Sequence, residues 1–389
     1  MSVTAPLGFR AAGVTAGLKE SGQPDVAVVL NDGPSRAAAA VFTSNRVQAA
    51  PVLWSRQVVS GGRVRAVALN SGGANACTGS LGFQDTHATA EHLAATLSAA
   101  GQEVGAGEIA VCSTGLIGER LPMDKLLPGV AAAVADASRA GGLAAADAIR
   151  TTDTVVKIAF RRGMGGYTIG GMAKGAGMLA PALATMLCVV TTDADLAPGE
   201  LDAALRSAVA VTFDRLDTDG CMSTNDTVLL LASGAAGFRP EVGEFAVTLT
   251  EVCADLARQL QLDAEGANKM IAIEVVGAAS EADAVQAGRA VARNNLLKCA
   301  IGGEDPNWGR VLAAVGTTDA VFEPDRLNVA INGVWVCRHG AAGDERSKVD
   351  LAPKDVTITV DLSAGPHSAV ILTTDLTVAY VHENSAYST

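Results

Sequence analysis

The chain has 389 residues, 49% hydrophobic but only 4% aromatic, with 42 glycines, which is enough for one large domain or two around a substantial core of small side chains. Its 29 Lys and Arg against 41 Asp and Glu give a net charge of −12. That charge and the scarcity of aromatic rings argue against nucleic acid and anionic membranes as partners, so any anionic substrate must be held by local groups.

The nearest candidate for a membrane span, Met178 to Val190, is too short and contains Pro181. The first residues lack a basic region followed by an apolar one, so a secretion signal is not expected. Seven scattered cysteines, an odd number, fit reduced thiols and a cytoplasmic setting.

In chain order, Asp25 to Asn31 and Ala37 to Thr43 read as strands joined around Asn31-Asp32-Gly33-Pro34, a turn signal that predicts a hairpin. Arg65 to Leu69 is a strand running into Asn70 to Gly79, a loop of small residues that lets backbone amides approach a ligand or is simply a surface loop. A helix is expected from Asp85 to about Ala100, then a strand from Glu108 to Cys112 ending in Ser113-Thr114-Gly115. Gly115 can turn an amide and a hydroxyl toward a pocket, as an oxyanion hole requires; the competing reading is a turn with Thr114 as a local cap. Met123 to about Ala137 and Leu143 to Ile149 are expected helices, followed by Thr151-Thr152-Asp153-Thr154 and a strand from Val155 to Phe160.

Gly170, Gly171, Gly175 and Gly177 read as a flexible approach, with Pro181 blocking a regular element, before Thr185 opens a short apolar strand from Met186 to Val190. A hydroxyl at that junction can attack the carbonyl of Ala184, cleave the chain and leave Thr185 as an N-terminal nucleophile whose own amine is its base. The plainer reading is a β-branched residue that begins a strand. Beyond it come a helix from about Pro198 to Thr212, a strand from Val228 to Ala232, a helix from about Phe245 to Leu262, a strand from Ile271 to Val276 and a helix from Glu281 to about Lys298. The strand-rich remainder ends in a polar tail, Val381 to Thr389. This alternation predicts a layered α/β architecture.

Cofactor and metal signatures are missing. Lys174 is followed by Gly175 rather than Ser or Thr, and the dinucleotide glycine spacing from Gly163 and Gly165 fails at Thr168. Asp217, Asp219 and Gly220 resemble a calcium loop, but that register puts Arg215 at the first ligand position. The five histidines form no zinc pattern. Neither a cofactor nor a metal is therefore expected.

The stretches Cys112 to Gly118, Gly170 to Thr185, Glu265 to Lys269, Asp305 to Arg310 and Glu383 to Thr389, in that order, resemble the bacterial ornithine acetyltransferases of arginine biosynthesis, also called glutamate N-acetyltransferases. The resemblance spans nearly the whole chain. It implies autoproteolysis at Ala184-Thr185 into an α chain, 1 to 184, and a β chain, 185 to 389, that stay together, with assembly as α2β2. It implies an α-β-β-α sandwich of the N-terminal-nucleophile type with a smaller second α/β domain, the strand-rich part beginning at about 280. The implied reaction is ping-pong transfer of acetyl from N2-acetylornithine to glutamate through an ester on Thr185. Thr114 and Gly115 match the oxyanion-hole pair, and Thr151, Lys174, Glu265, Asn384 and Thr389 match substrate-contacting positions, with Lys174 suited to the α-carboxylate and Glu265 to the amine.

Three alternatives stay open. Some relatives also take acetyl from acetyl-CoA, for which this chain has no obvious Lys/Arg cluster, and that absence favours the monofunctional form. A related amidase or aminopeptidase would pass its acyl group to water. A non-catalytic binding protein would keep the chain intact.

Overall fold

The computed structural model describes residues 2–180 and 186–386. The cleavage site Ala184-Thr185 and the terminal Thr389 lie outside these described residues.

Two sheets face each other across a core of small aliphatic side chains. The first has the order β1 (Phe9–Val14), β2 (Val26–Asn31), β4 (Ala66–Ser71) and β5 (Ile109–Thr114), with the last two parallel. The second has the order β3 (Ala37–Phe42), β9 (Thr227–Ala232), β8 (Leu187–Thr192), β7 (Thr168–Lys174) and β6 (Lys157–Arg162), with β8 and β9 parallel. The strands β2, β4, β5, β8 and β9 are buried along their whole length. They read as continuous apolar runs because each is covered on both faces. Met172, Leu187, Val189, Leu229 and Leu231 turn inward to meet Val28, Leu30 and Leu69 of the first sheet.

The outer faces carry helices. Against the first sheet lie α1 (Ala50–Ser60), α2 (Gly79–Ala99), α3 (Met123–Asp136) and α4 (Gly142–Ala148); against the second lie α5 (Pro198–Val211) and α6 (Val242–Leu262). The result is the expected α-β-β-α sandwich. A third sheet has the order β13 (Ala341–Ala342), β12 (Val334–Arg338), β11 (Asn328–Ile331), β14 (Asp355–Asp361), β10 (Met270–Ala278) and β15 (His367–Thr374). It shares a core of its own with α7 (Glu281–Ala292), α8 (Asn295–Gly302) and α9 (Trp308–Val315). The final helix is α10 (Val378–Ala386).

Three local expectations change. The predicted hairpin is a crossover: β2 pairs with β1 and β4, whereas β3 pairs with β9 in the opposite sheet. Asn31 fixes this switch, its buried amide donating to the carbonyls of Ser35 and of Ala232, at 3.1 Å each. The glycine-rich approach at Gly170 and Gly171 is strand β7, held between two antiparallel neighbours. The missing side chains there admit other parts of the chain, since a Cβ on Gly170 would stand 2.1 Å from the Ser2 carbonyl. The single helix expected over Glu281 to Lys298 is two, because the Asn294 side chain accepts the Leu297 N–H and caps a new helix.

All seven cysteines are free thiols. No helix among the described residues is long and apolar enough to cross a membrane, and none of their His, Cys, Asp or Glu side chains cluster as a metal site.

Met172 is fully buried between the sheets. Met172→Ala is expected to lower stability by about 2–5 kcal/mol through the cavity it leaves, measured by denaturant unfolding. A loss below about 1 kcal/mol would mean that the two sheets do not share that core.

Candidate active site

The pocket forms where β5 of one sheet and β7 of the other end side by side. In the first sheet, Ser113 donates to Asn70 Oδ1 at 2.6 Å and Asn70 Nδ2 donates to the Gly73 carbonyl at 3.0 Å, fixing the loops after β4 and β5. Asn225, just before β9, ties the sheets together by donating to the carbonyls of Ala74 at 2.7 Å and Ser113 at 2.8 Å. Thr114 then closes β5, and Gly115 turns away with φ at +128°. A Cβ on Gly115 would stand 2.5 Å from the Gly73 amide, so only glycine lets these two loops touch. The Gly115 N–H meets no acceptor among the described residues.

Lys174 ends β7 opposite Leu187, two residues past Thr185 in the chain. The residue is 2% exposed, and its ammonium donates to Thr114 Oγ1 at 3.3 Å. No carboxylate lies within ion-pair distance of it among the described residues. Burial lowers its pKa below the usual lysine range, and Lys157 adds to that, while Asp153, Asp226 and Glu265 act in the opposite direction.

Glu265 stands on the far wall. It follows α6, and its own amide donates to the Ala176 carbonyl at 3.0 Å. Asn384 of α10 donates to Glu265 Oε2 at 3.0 Å, bringing the polar tail over the pocket as an ordered helix. Gly177 makes room for this carboxylate, since a Cβ there would stand 2.4 Å from Oε2. Thr151 and Thr152 supply another wall, and Ser223, Thr224 and Asn225 the floor beside them.

The structure thus brings Thr114, Gly115, Thr151, Lys174, Glu265 and Asn384 around one pocket, while Thr185 and Thr389 lie outside the described residues. Sequence reasoning passed over Ser223 to Asn225 and over two buried carboxyls. Asp153, in the Thr-Thr-Asp-Thr turn, is held down to about 2; burial alone would raise it, but Lys174 and Lys157 outweigh burial. Asp226 is pushed well above the carboxylate range by complete burial, despite help from the Met186 amide, Ser223 and Lys174. Its Oδ1 accepts the Met186 N–H at 3.1 Å. The run of small polar residues Ser-Thr-Asn-Asp was the one available signal for this part of the site.

An enclosed pocket with a buried cation on one wall, a carboxylate on another and a backbone amide between complements a small zwitterion whose reacting group gains negative charge. Set at the seam of a layered α/β fold, these features define a small-molecule enzyme. The chain belongs to the ArgJ family, whose profile matches residues 10–389. It is 74% identical over 389 residues to the arginine biosynthesis bifunctional protein ArgJ of Thermobifida fusca, covering 100% of both chains. It is 68% identical over 388 residues to arginine biosynthesis bifunctional protein ArgJ 1 of Streptomyces clavuligerus, again covering 100% of each. Among solved structures, the ornithine acetyltransferase of Mycobacterium tuberculosis complexed with ornithine is 62% identical, with a TM-score of 0.46, over 48% of this chain and 96% of that one.

Two predictions test the site's construction. Gly177→Ala forces Glu265 away and breaks its hydrogen bond with Asn384, so amide exchange across residues 378–386 should rise while the sheets stay protected; unchanged exchange there would refute the coupling. Because Asp226 is harder to ionise folded than unfolded, the stability it contributes at acid pH is lost as pH rises above the carboxylate range. Asp226→Asn removes that dependence, so its melting temperature should gain on the wild type's between about pH 4 and pH 7. A difference independent of pH would show that Asp226 is ionised in the folded chain.

Proposed function

We infer that the chain is an ornithine acetyltransferase of arginine biosynthesis, moving the acetyl group of N2-acetyl-L-ornithine to L-glutamate. The observation that carries this reading is the convergence of Lys174, Glu265 and the unengaged Gly115 amide on one pocket at the end of β7, beside the start of β8.

In the proposed mechanism the Thr185 hydroxyl first attacks the Ala184 carbonyl, the acyl group shifts from nitrogen to Oγ, and water hydrolyses that ester, leaving a carboxyl on Ala184 and a free hydroxyl and α-amine on Thr185. The released α-amine, with an ordinary pKa near ~8, then serves as base without a histidine. Thr185 Oγ attacks the acetyl carbonyl as the amine takes its proton, and the tetrahedral oxyanion is met by the Gly115 N–H and Thr114. The α-ammonium returns the proton to the departing amine of ornithine, leaving an acetyl ester. Glutamate enters the same pocket, loses a proton to the Thr185 amine and takes the acetyl group. Lys174 binds the α-carboxylate shared by donor and acceptor, and Glu265, steadied by Asn384, faces the donor's side-chain ammonium. Thr151 and Thr389 complete the contacts. The fragments 1–184 and 185–389 remain together and assemble as α2β2.

A second reading is favoured by one finding. The relatives named above are called bifunctional, which supports a further acetylation of glutamate from acetyl-CoA over the monofunctional form expected from charge distribution. Acetyl-CoA would acylate the same Thr185.

The test begins with intact mass under denaturing conditions. The wild type should give two fragments breaking at 184–185. Thr185→Ala should give one chain of full length and lose at least about 10³-fold in acetyl transfer, as expected for removal of a nucleophile. Wild-type acetyl-enzyme should turn over with glutamate and persist without it. Equal turnover in buffer alone would identify a hydrolase, and an intact wild-type chain would overturn the mechanism. Acetyl-CoA in place of acetylornithine decides the second reading.

A further inference from the structure

Lys174 poses an electrostatic question that its role in binding does not answer. An ammonium removed from water needs a counter-charge, yet a directly paired carboxylate would occupy the donors a substrate requires. Thr114 is its hydrogen-bond acceptor among the described residues. Three carboxyls face it through space, Asp153, Asp226 and Glu265, against the cations Lys157 and Lys19. Burial favours the neutral form of Asp226, and its effect on Lys174 is smaller than that of Asp153. Glu265 is bound by Asn384 and acts on Lys174 less than Asp153 and Asp226 do. Asp153 remains, 6% exposed and built into both sides of the pocket.

Its contacts are specific. Asp153 Oδ2 accepts the N–H of Thr151 at 3.0 Å. Oδ1 accepts the N–H of Gly175, the residue after Lys174, at 2.6 Å and the ammonium of Lys157 at 2.6 Å. Lys157, completely buried, has a second carboxylate in Asp263, also at 2.6 Å. Lys157 is therefore balanced by Asp263, and the Asp153 charge is left to face Lys174.

We propose that Asp153 is a positioning residue of this pocket: its carboxylate joins the Thr151 wall to the Lys174-Gly175 turn and supplies the buried counter-charge that holds Lys174 protonated with its donors open for a substrate carboxylate. The proposal rests on the reading of Lys174 as the carboxylate-binding group. Asp153 touches no reacting atom, so its loss acts on binding and on the pH range of binding more than on the acetyl-transfer step.

The experiment compares the wild type with Asp153→Asn and Lys157→Gln. The Michaelis constants for N2-acetylornithine and glutamate are measured against pH, together with the reactivity of Lys174 toward acetic anhydride against pH, followed by peptide mass spectrometry. Asp153→Asn removes the supporting negative charge. The pH above which both Michaelis constants rise, and the midpoint of Lys174 labelling, should fall by about one unit, with the Michaelis constants raised about 10-fold near neutrality and kcat within about 3-fold. Lys157→Gln removes an opposing positive charge, so both midpoints should move up. A general loosening of the fold would move the two variants the same way. Shifts of the same sign, or no shift in either, would overturn the proposal. Should Asp153→Asn fail to fold, Lys157→Gln decides alone, an upward shift supporting and any other result refuting. Labelling does not depend on turnover, so a wild type that transfers no acetyl group would sink the functional reading while Lys174 labelling still judges Asp153.

Discussion

A lysine ammonium carried inside the protein with no carboxylate of the described residues bound to it is the constraint on which the pocket depends. Removing such a charge from water costs several kcal/mol unless fixed dipoles and distant charges replace the lost solvent. The surrounding architecture does this in layers. Thr114 offers a hydroxyl, Asp153 a charge held one step back, and the two sheets bring the ends of β5 and β7 close enough for a residue from each to touch. Moving either sheet by a fraction of the inter-strand spacing would take the Thr114 hydroxyl away from Lys174. The apolar packing between the sheets therefore sets the electrostatics of the site as well as its shape.

Two buried carboxyls a short way from the same lysine are shifted in opposite directions, Asp153 down and Asp226 up, and their surroundings account for it. Asp153 receives two backbone N–H groups and an ammonium, so ionisation is favoured over desolvation. Asp226 receives the Met186 amide and help from Ser223 but no ammonium in contact among the described residues, so desolvation prevails. Environments that drive like groups apart are typical of sites where protons and charges are assigned separate tasks.

Most of the sandwich was legible in the sequence because its strands are short apolar runs and its helices carry apolar faces at helical spacing. What escaped was partnership. Nothing local at Asn31-Asp32-Gly33-Pro34 distinguishes a hairpin from a step into another sheet; that choice is made by Ala232, some two hundred residues away. Strand β7 was hidden because glycines present no side chains to alternate. Lys174 and Glu265, taken alone, read as a loop lysine and a helix end, and only the order of the surrounding motifs gave them a role. Asp153 looked like one more turn residue, since its value lies in Gly175 and Lys157, which sequence order does not place beside it. Residues 381–386 of the tail, ordinarily a frayed end, are helical because Thr377 donates to the Gly266 carbonyl at 2.6 Å and Asn384 reaches Glu265.

The order of the second sheet, β3-β9-β8-β7-β6, has a topological consequence for a chain cut between 184 and 185. The leading piece owns both flanks, β3 on one side and β7 with β6 on the other, while the trailing piece owns the two middle strands. The pieces are dovetailed like the fingers of clasped hands. Neither can withdraw without stripping a full ladder of backbone hydrogen bonds from each side of the middle pair. A peptide bond between 184 and 185 can thus be broken while separation of the products would amount to unfolding.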